Sequence, residues 1–442
     1  MLQEAGSGLP VVSISHRGVD RLRAGHVWVY RSDVVQAENV QPGSVVLVQE
    51  PTSPRGKPTL GKTARPTRVR ILGTAFYSSA SEIALRMIST KSVGDINQLV
   101  RERIRAAIAY RERFVQDTNA YRVIFSEGDF LPGLIVDRYS EILSLQVLTQ
   151  ATDSASVREV VLSELLRVLR PAAIVERVDP RVRKLEQLPE KSSGLIFEAA
   201  ALTGVTPVAA QPVLESDLAT PNHGRGRPGL HVQSKFQMNG VRFLYDVLEG
   251  QKTGAFLDQR ENYAAAAQYA RGEALDVFCY QGGFALHLAD KCEQVTGVDS
   301  SRPALEMAEK NAGLNGREIE WIEANAFDLL RDFSDQGQRY DCIVLDPPAF
   351  AKARRDLPTA LRGYKELNLR ALKMLRPGGI LVTCSCSYHV SAADLLETVT
   401  VAAQDSHRII RLLENRGQSK DHPTVLGIPE TAYLKCLVLL VS

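Results

Sequence analysis

Two places in the sequence combine residue types that could act on a nucleobase. In YDCIVLDPPAFAK (340–352) an apolar run ends at Asp346, and Pro347 and Pro348 follow. Consecutive prolines fix two φ angles and remove two N–H donors, so the loop is stiff and rich in acceptors. The Asp346 carboxylate and a backbone carbonyl suit an exocyclic amine, and Phe350 can stack on an extruded base. An acid at a strand end is costly in a purely structural role. In GGILVTCSCSYHV (378–390) Cys386 stands just beyond another apolar run. A thiolate adding at C6 of a pyrimidine makes C5 enamine-like and able to attack a methyl group. Cys384 reads as core packing, since free cysteine is usually a small buried hydrophobe. His389 could activate the thiol, but as a loop residue it is not taken as catalytic.

A cofactor site precedes these residues. In ALDVFCYQGGFALHLA (274–289) Asp276 lies on a strand and Gly282-Gly283 opens a helix. Adjacent glycines admit a ligand where a Cβ would block it. Asp299 follows Asp276 by 23 residues, where an acid can hold two ribose hydroxyls. Asn325 could meet an adenine edge. Phe278 and Tyr280 occupy glycine positions of the dinucleotide fingerprint, which argues against a pyrophosphate turn. S-adenosylmethionine has no phosphate and is the expected cofactor.

The elements that must position these groups follow from periodicity. Residues 236–442 alternate strands (274–278, 294–299, 320–323, 342–346, 380–384, 432–440) with helices (283–290, 303–314, 326–332, 364–375, 391–403). That rhythm predicts a mainly parallel sheet with helices on both faces and ligands beyond the strands' carboxyl ends. Residues 91–235 read as an α+β domain, with helices at 97–115 and 154–169 and strands at 121–125, 133–137, 142–147 and 173–178. Its 201–230 segment reads as an irregular connection. Residues 1–90 hold short strand-like runs (11–14, 27–30, 45–48, 69–71), and their 11 basic and 6 acidic residues leave a local excess of +5. A small basic β domain suits RNA; by charge alone, the proline-punctuated 51–70 stretch reads more readily as a solvated loop.

Composition sets the outer limits. The 442 residues carry 53 basic and 51 acidic side chains, a net +2, which excludes nucleic-acid binding by bulk charge alone. No apolar run is long enough to span a bilayer, and the first residues lack a signal-peptide pattern, so a cytoplasmic location is expected. The six cysteines all follow residue 278 and form no C-x-x-C pair. No disulfide framework and no metal are expected.

The motifs together resemble the bacterial 23S ribosomal RNA large-subunit methyltransferase I family, which makes 5-methylcytidine. The match is carried by GQKTGAFLDQREN (250–262), DVFCYQGGFA (276–285), DPPAF (346–350), GYKELN (363–368), SCS (385–387) and DHP (421–423). HVWVY (26–30) resembles its N-terminal PUA domain, and FSEGDFLPGLIVDRY (125–139) its central domain. The resemblance implies a multidomain α/β chain: a PUA-like β-barrel (1–90), a central α+β domain (91–235) and a class I, Rossmann-like methyltransferase domain (236–442). It puts the nucleophile on Cys386, with Asp346 beside it. Cofactor contacts fall on Asp276, Phe278, Tyr280, Gly282, Gly283, Phe284, Asp299, Ser300, Asn325, Ala326 and Asp346. Pro347, Phe350, Lys252 and Arg260 are the expected substrate contacts, the last two to RNA phosphates. The partner implied is 23S ribosomal RNA, with a homodimer as candidate assembly. On the residues alone, a guanine or adenine nitrogen methyltransferase using Asp-Pro-Pro-x-Phe without a thiol stays open. So does a non-catalytic RNA-binding factor.

Overall fold

The computed structural model describes residues 8–51, 70–199, 233–247 and 255–442. Lys252 and the 201–230 segment lie outside them. The first sheet has six strands, β1 (Val11–Ile14), β2 (Trp28–Tyr30), β3 (Val34–Gln36), β4 (Val45–Gln49), β5 (Ile71–Tyr77) and β6 (Ile83–Ser89), ordered β2-β6-β5-β4-β1-β3. Val12, Ile14, Val29, Val46, Val48 and Leu85 alternate inward and form its core. A helix that the apolar pattern did not announce, α1 (His16–Arg23), is started by Ser15, whose Oγ accepts the Gly18 N–H at 3.1 Å.

The second unit packs α2 (Ile96–Phe114) and α3 (Ala155–Leu169) on a sheet ordered β11-β10-β9-β8-β7. Its strands are β7 (Ala120–Phe125), β8 (Leu134–Tyr139), β9 (Ile142–Val147), β10 (Ala173–Glu176) and β11 (Gly194–Glu198), with the short α4 (Pro180–Leu185) between the last two. A hairpin of β12 (Gln233–Met238) and β13 (Val241–Asp246) follows. It spans the expected 235/236 boundary, because its apolar face serves both neighbours: Phe236 packs on Tyr139 of the second unit at 5.3 Å, and Phe243 on His287 of the third at 6.2 Å.

The third sheet has seven strands: β14 (Glu273–Val277), β15 (Gln294–Asp299), β16 (Glu320–Glu323), β17 (Tyr340–Leu345), β18 (Leu375–Ser385), β19 (Ile410–Arg416) and β20 (Lys435–Val441). The order is β16-β15-β14-β17-β18-β20-β19, parallel except for β20, which runs antiparallel to both neighbours. Helices α5 (Arg260–Tyr269), α6 (Gly283–Leu288), α7 (Arg302–Leu314), α8 (Ala326–Asp335), α9 (Leu357–Met374) and α10 (Ala392–Asp405) complete the unit. The central strands are largely apolar on both faces because two separate cores cover them, as parallel strands require. No described helix is long and apolar enough to cross a membrane.

The Asp421-His422-Pro423 motif joins the second and third units. The Asp421 carboxylate accepts the Arg122 N–H of β7 at 2.9 Å, and its carbonyl accepts from the Arg111 guanidinium of α2 at 2.7 Å. His422 packs on Phe125 at 5.1 Å. Burial pushes the Asp421 carboxyl up, but His422, Arg260 and the Arg122 N–H together hold it below its ordinary value. Asp421→Ala would leave the Arg122 N–H without its acceptor and the buried Arg260 guanidinium with Glu261, 3.3 Å away, as its remaining counter-charge. A loss of about 1–3 kcal/mol in urea unfolding is expected; an unchanged stability would contradict this account.

Candidate active site

The carboxyl ends of β14, β15, β17 and β18 open on one cavity of 410 Å³. At its β14 end the chain turns sharply. Phe278 and Tyr280 adopt φ of +68° and +49°, and Gly282 φ of +84°. Left-handed backbone at a bulky residue costs about 1–3 kcal/mol and persists only where surroundings impose it. Here β15 imposes it: the Phe278 and Cys279 N–H groups both donate to the Val298 carbonyl, at 2.9 and 3.0 Å. The turn thus has the left-handed backbone of a glycine loop, but carries aromatic side chains that line the cavity. Gly283 is obligatory for a second reason, since a Cβ there would sit 2.5 Å from the Tyr263 hydroxyl and ring.

Asp299 ends β15, and both its oxygens are oriented by backbone: Oδ2 accepts the Tyr280 N–H and Oδ1 the Ser301 N–H, each at 2.9 Å. Phe278, Tyr280, Gly283, Phe284, Asp299 and Ser300 line the cavity. An acid at the end of β15, an aromatic wall and a cradle with no phosphate-binding turn fit S-adenosylmethionine. Asp276 does not line it. It is fully buried beneath the turn, where Oδ2 accepts the Ala285 N–H at 2.8 Å. Burial raises its pKa to about 8, so it ties strand to helix. Gly282 and Ala326 also lie outside the lining, and Asn325 instead caps α8, its Oδ1 accepting from Phe327 and Asp328.

The reactive end is built by two loops that brace each other. Asp346 and Pro347 line the cavity, and Cys386, one residue past β18, faces them with Sγ 3.9 Å from the Pro347 carbonyl. Both serines flanking Cys386 are buried and bound to Tyr364 of α9: Ser385 Oγ donates to its hydroxyl at 2.9 Å, and Ser387 Oγ lies 3.1 Å from it. Ser387 Oγ also accepts the Ala351 N–H of the Asp-Pro-Pro loop at 3.2 Å. Cys384 is buried on β18 opposite Cys436, and burial drives its thiol pKa well up, as core packing requires. His389 stands edge-on to Tyr388.

A polar relay missed by motif reading orients Asp346. Arg416 Nε donates to Asn262 Oδ1 at 2.9 Å, Asn262 Nδ2 to Gln259 Oε1 at 2.7 Å, and Gln259 Nε2 to Asp346 Oδ2 at 2.9 Å. Each amide is used at both ends, so the carboxylate has one orientation. Asp258 and Tyr433 line the cavity beside it, joined by a 2.6 Å hydrogen bond. The only sequence signal for this group was the block 250–262, which carries no recognisable spacing of reactive residues.

Two expected substrate contacts sit elsewhere. Arg260 is buried, donating to the Gln116 carbonyl at 3.1 Å and to Glu261 at 3.3 Å. It holds the interdomain junction and is not a surface phosphate ligand. Phe350 packs on Tyr364 at 4.9 Å and Phe327 at 5.9 Å, outside the cavity lining, because the Ala351–Ser387 tie turns that segment toward α9.

Comparisons with known proteins agree with this architecture. Residues 226–438 match the family of S-adenosylmethionine-dependent methyltransferases, and residues 12–53 match a PUA-like domain. Ribosomal RNA large subunit methyltransferase I of Photobacterium profundum is 32% identical over 94% of this chain and 95% of its own length. The Aeromonas hydrophila protein of the same name is 35% identical over 83% and 87%. The crystal structure of SMU.776 complexed with SAH superposes with a TM-score of 0.75 at 16% identity, covering 98% of this chain and all of that one. An N-terminal PUA-like domain, a middle domain and a C-terminal Rossmann-like sheet around an S-adenosylmethionine site are thus a known combination, and the chain belongs to the ribosomal RNA large subunit methyltransferase I family.

Proposed function

We propose that the protein methylates C5 of a cytosine in 23S ribosomal RNA through a covalent adduct between Cys386 and C6. The observation that carries this reading is a half-buried thiol facing the Asp-Pro-Pro loop inside the cofactor cavity. The relatives named for large-subunit ribosomal RNA point to the same substrate. When bound, S-adenosylmethionine supplies an electrophilic methyl group.

The remaining work falls to this chain. Asp346, fixed by Gln259, accepts a hydrogen bond from the exocyclic amine and holds the N3/N4 edge of the extruded cytosine. The Cys386 thiolate bonds to C6, and the electron pair of the C5–C6 double bond becomes available at C5. C5 takes the methyl group, with the sulfonium sulfur keeping the bonding pair. C5 then gives its proton to a base, the double bond re-forms and Cys386 leaves as thiolate. The stiff Pro347-Pro348 segment supplies positioning, worth several orders of magnitude when reacting atoms are held near contact distance.

Nucleoside mass spectrometry after methyl transfer to ribosomal RNA from cells lacking the gene tests the assignment. A gain of 5-methylcytidine is expected; a methylated guanosine or adenosine would assign the Asp-Pro-Pro loop to nitrogen methylation without the thiol. Cys386→Ala is expected to abolish transfer while S-adenosylmethionine binding by calorimetry stays within about twofold. Full transfer by this variant would refute the adduct. Gln259→Ala frees the Asp346 carboxylate, and a fall in kcat of roughly ten- to a hundredfold is expected, with cofactor affinity little changed. An unaltered kcat would remove the relay from the mechanism.

A further inference from the structure

Lys435 begins β20 and pairs across the sheet with Ser385, the last residue of β18. Its side chain is buried, with 9% of its surface exposed. Nζ donates to the Ser387 carbonyl at 2.6 Å and to the Tyr433 carbonyl at 2.8 Å. The ammonium therefore grips the turn on the far side of Cys386 while β20 holds the near side. Among the described residues it forms no ion pair with a carboxylate. Carbonyl dipoles alone compensate a buried cation poorly. Burial pulls its pKa down to about 8, and the acidic groups Cys386 and Asp394 act against that shift.

We infer that Lys435 is the positioning residue that fixes the Cys386 turn and supplies the positive charge favouring the Cys386 thiolate. This rests on the reading of Cys386 as nucleophile. A nearby cation stabilises a thiolate, and the thiolate in turn relieves the buried cation. The assignment also explains why the strand that breaks the parallel order carries a buried lysine at its first residue. Antiparallel pairing brings the start of β20 to the carboxyl end of β18, beside the thiol. A parallel strand would begin at the opposite edge of the sheet.

The test reads the thiol without RNA. The rate of Cys386 alkylation by iodoacetamide is followed against pH by peptide mass spectrometry, in the wild type and in Lys435→Gln, Lys435→Met and Lys435→Arg. The other charged or titratable groups around the turn are unchanged in these variants: Asp258, Asp346 and Tyr433 in the cofactor cavity, Tyr364 on α9, and Arg354, His389, Asp394 and Arg416 in the adjoining cavity. The wild-type midpoint is expected below the ordinary thiol value of about 8.5. Lys435→Gln and Lys435→Met should raise it by about one pH unit, a tenfold loss of thiolate at neutral pH, and Lys435→Arg should retain most of the lowered value. A wild-type midpoint at or above the ordinary value overturns the inference whether or not the variants fold. So does an unshifted profile in a neutral variant that still binds S-adenosylmethionine. A lowered midpoint combined with full methyl transfer by Cys386→Ala would instead reject the nucleophile and leave the Lys435–Cys386 coupling standing.

Discussion

The hydrogen bond from Gln259 to Asp346 is the contact on which the reactive end of the cavity depends. A carboxylate at the mouth of a parallel sheet has two oxygens and a rotatable bond, and water would leave it many orientations. The relay from Arg416 through Asn262 and Gln259 leaves one. Its members come from β19, α5 and the segment before α5, so the orientation of Asp346 requires the outer strand and the first helix to be in register with the central strands. Tyr364 does the corresponding work for Cys386, binding the serines on either side of the thiol. Two loops that meet at 3.9 Å are thus each anchored from behind by buried hydroxyls or amides. Such preorganisation lets positioning contribute to rate without reorganisation during reaction.

The cofactor end obeys a different constraint. Phe278 and Tyr280 take left-handed backbone that glycine would take without cost. Their rings form the cavity wall, and glycine would leave that wall open. The strain is offset by two N–H groups on the Val298 carbonyl and by the tie from Asp276 to Ala285. Tyr263 leaves no room for a Cβ at Gly283, and Trp321 leaves none at Gly297.

Much of this architecture is legible in the sequence because the third unit has strong periodicity. The alternation of apolar runs and amphipathic helices locates β14 to β18 and their helices to within a few residues, apart from longer starts to α9 and β18. Strand ends then point to Asp299, Asp346 and Cys386, which the structure gathers in one cavity. The hairpin Gln233–Asp246, α1, α4, α5, β3, β6, β11 and β19 escape the reading. The hairpin's apolar face is shared between two units, α1 buries only Gly18 and Val19, and β19 has no fully buried residue. Arg260 and Phe350 look like surface ligands because residue type says nothing about which partner a side chain meets. Arg260 meets Gln116 and Asp421, and Phe350 meets Tyr364, through contacts far apart in sequence. Gln259, although inside the 250–262 block, and Lys435 show no role in sequence for the same reason: each acts through a partner that only the fold brings near.

The central claim is that Cys386 and Asp346 act on opposite sides of one cytosine. Its most direct measurement is covalent trapping on ribosomal RNA containing 5-fluorocytidine, with S-adenosylmethionine present. Fluorine at C5 cannot leave as a proton, so an adduct formed at C6 persists after methyl transfer and survives a denaturing gel. The account predicts a stable protein–RNA species whose RNA-linked peptide contains Cys386 and which is absent from Cys386→Ser. Failure of the active wild-type enzyme to form that species, or an adduct mapped to another cysteine, would contradict it.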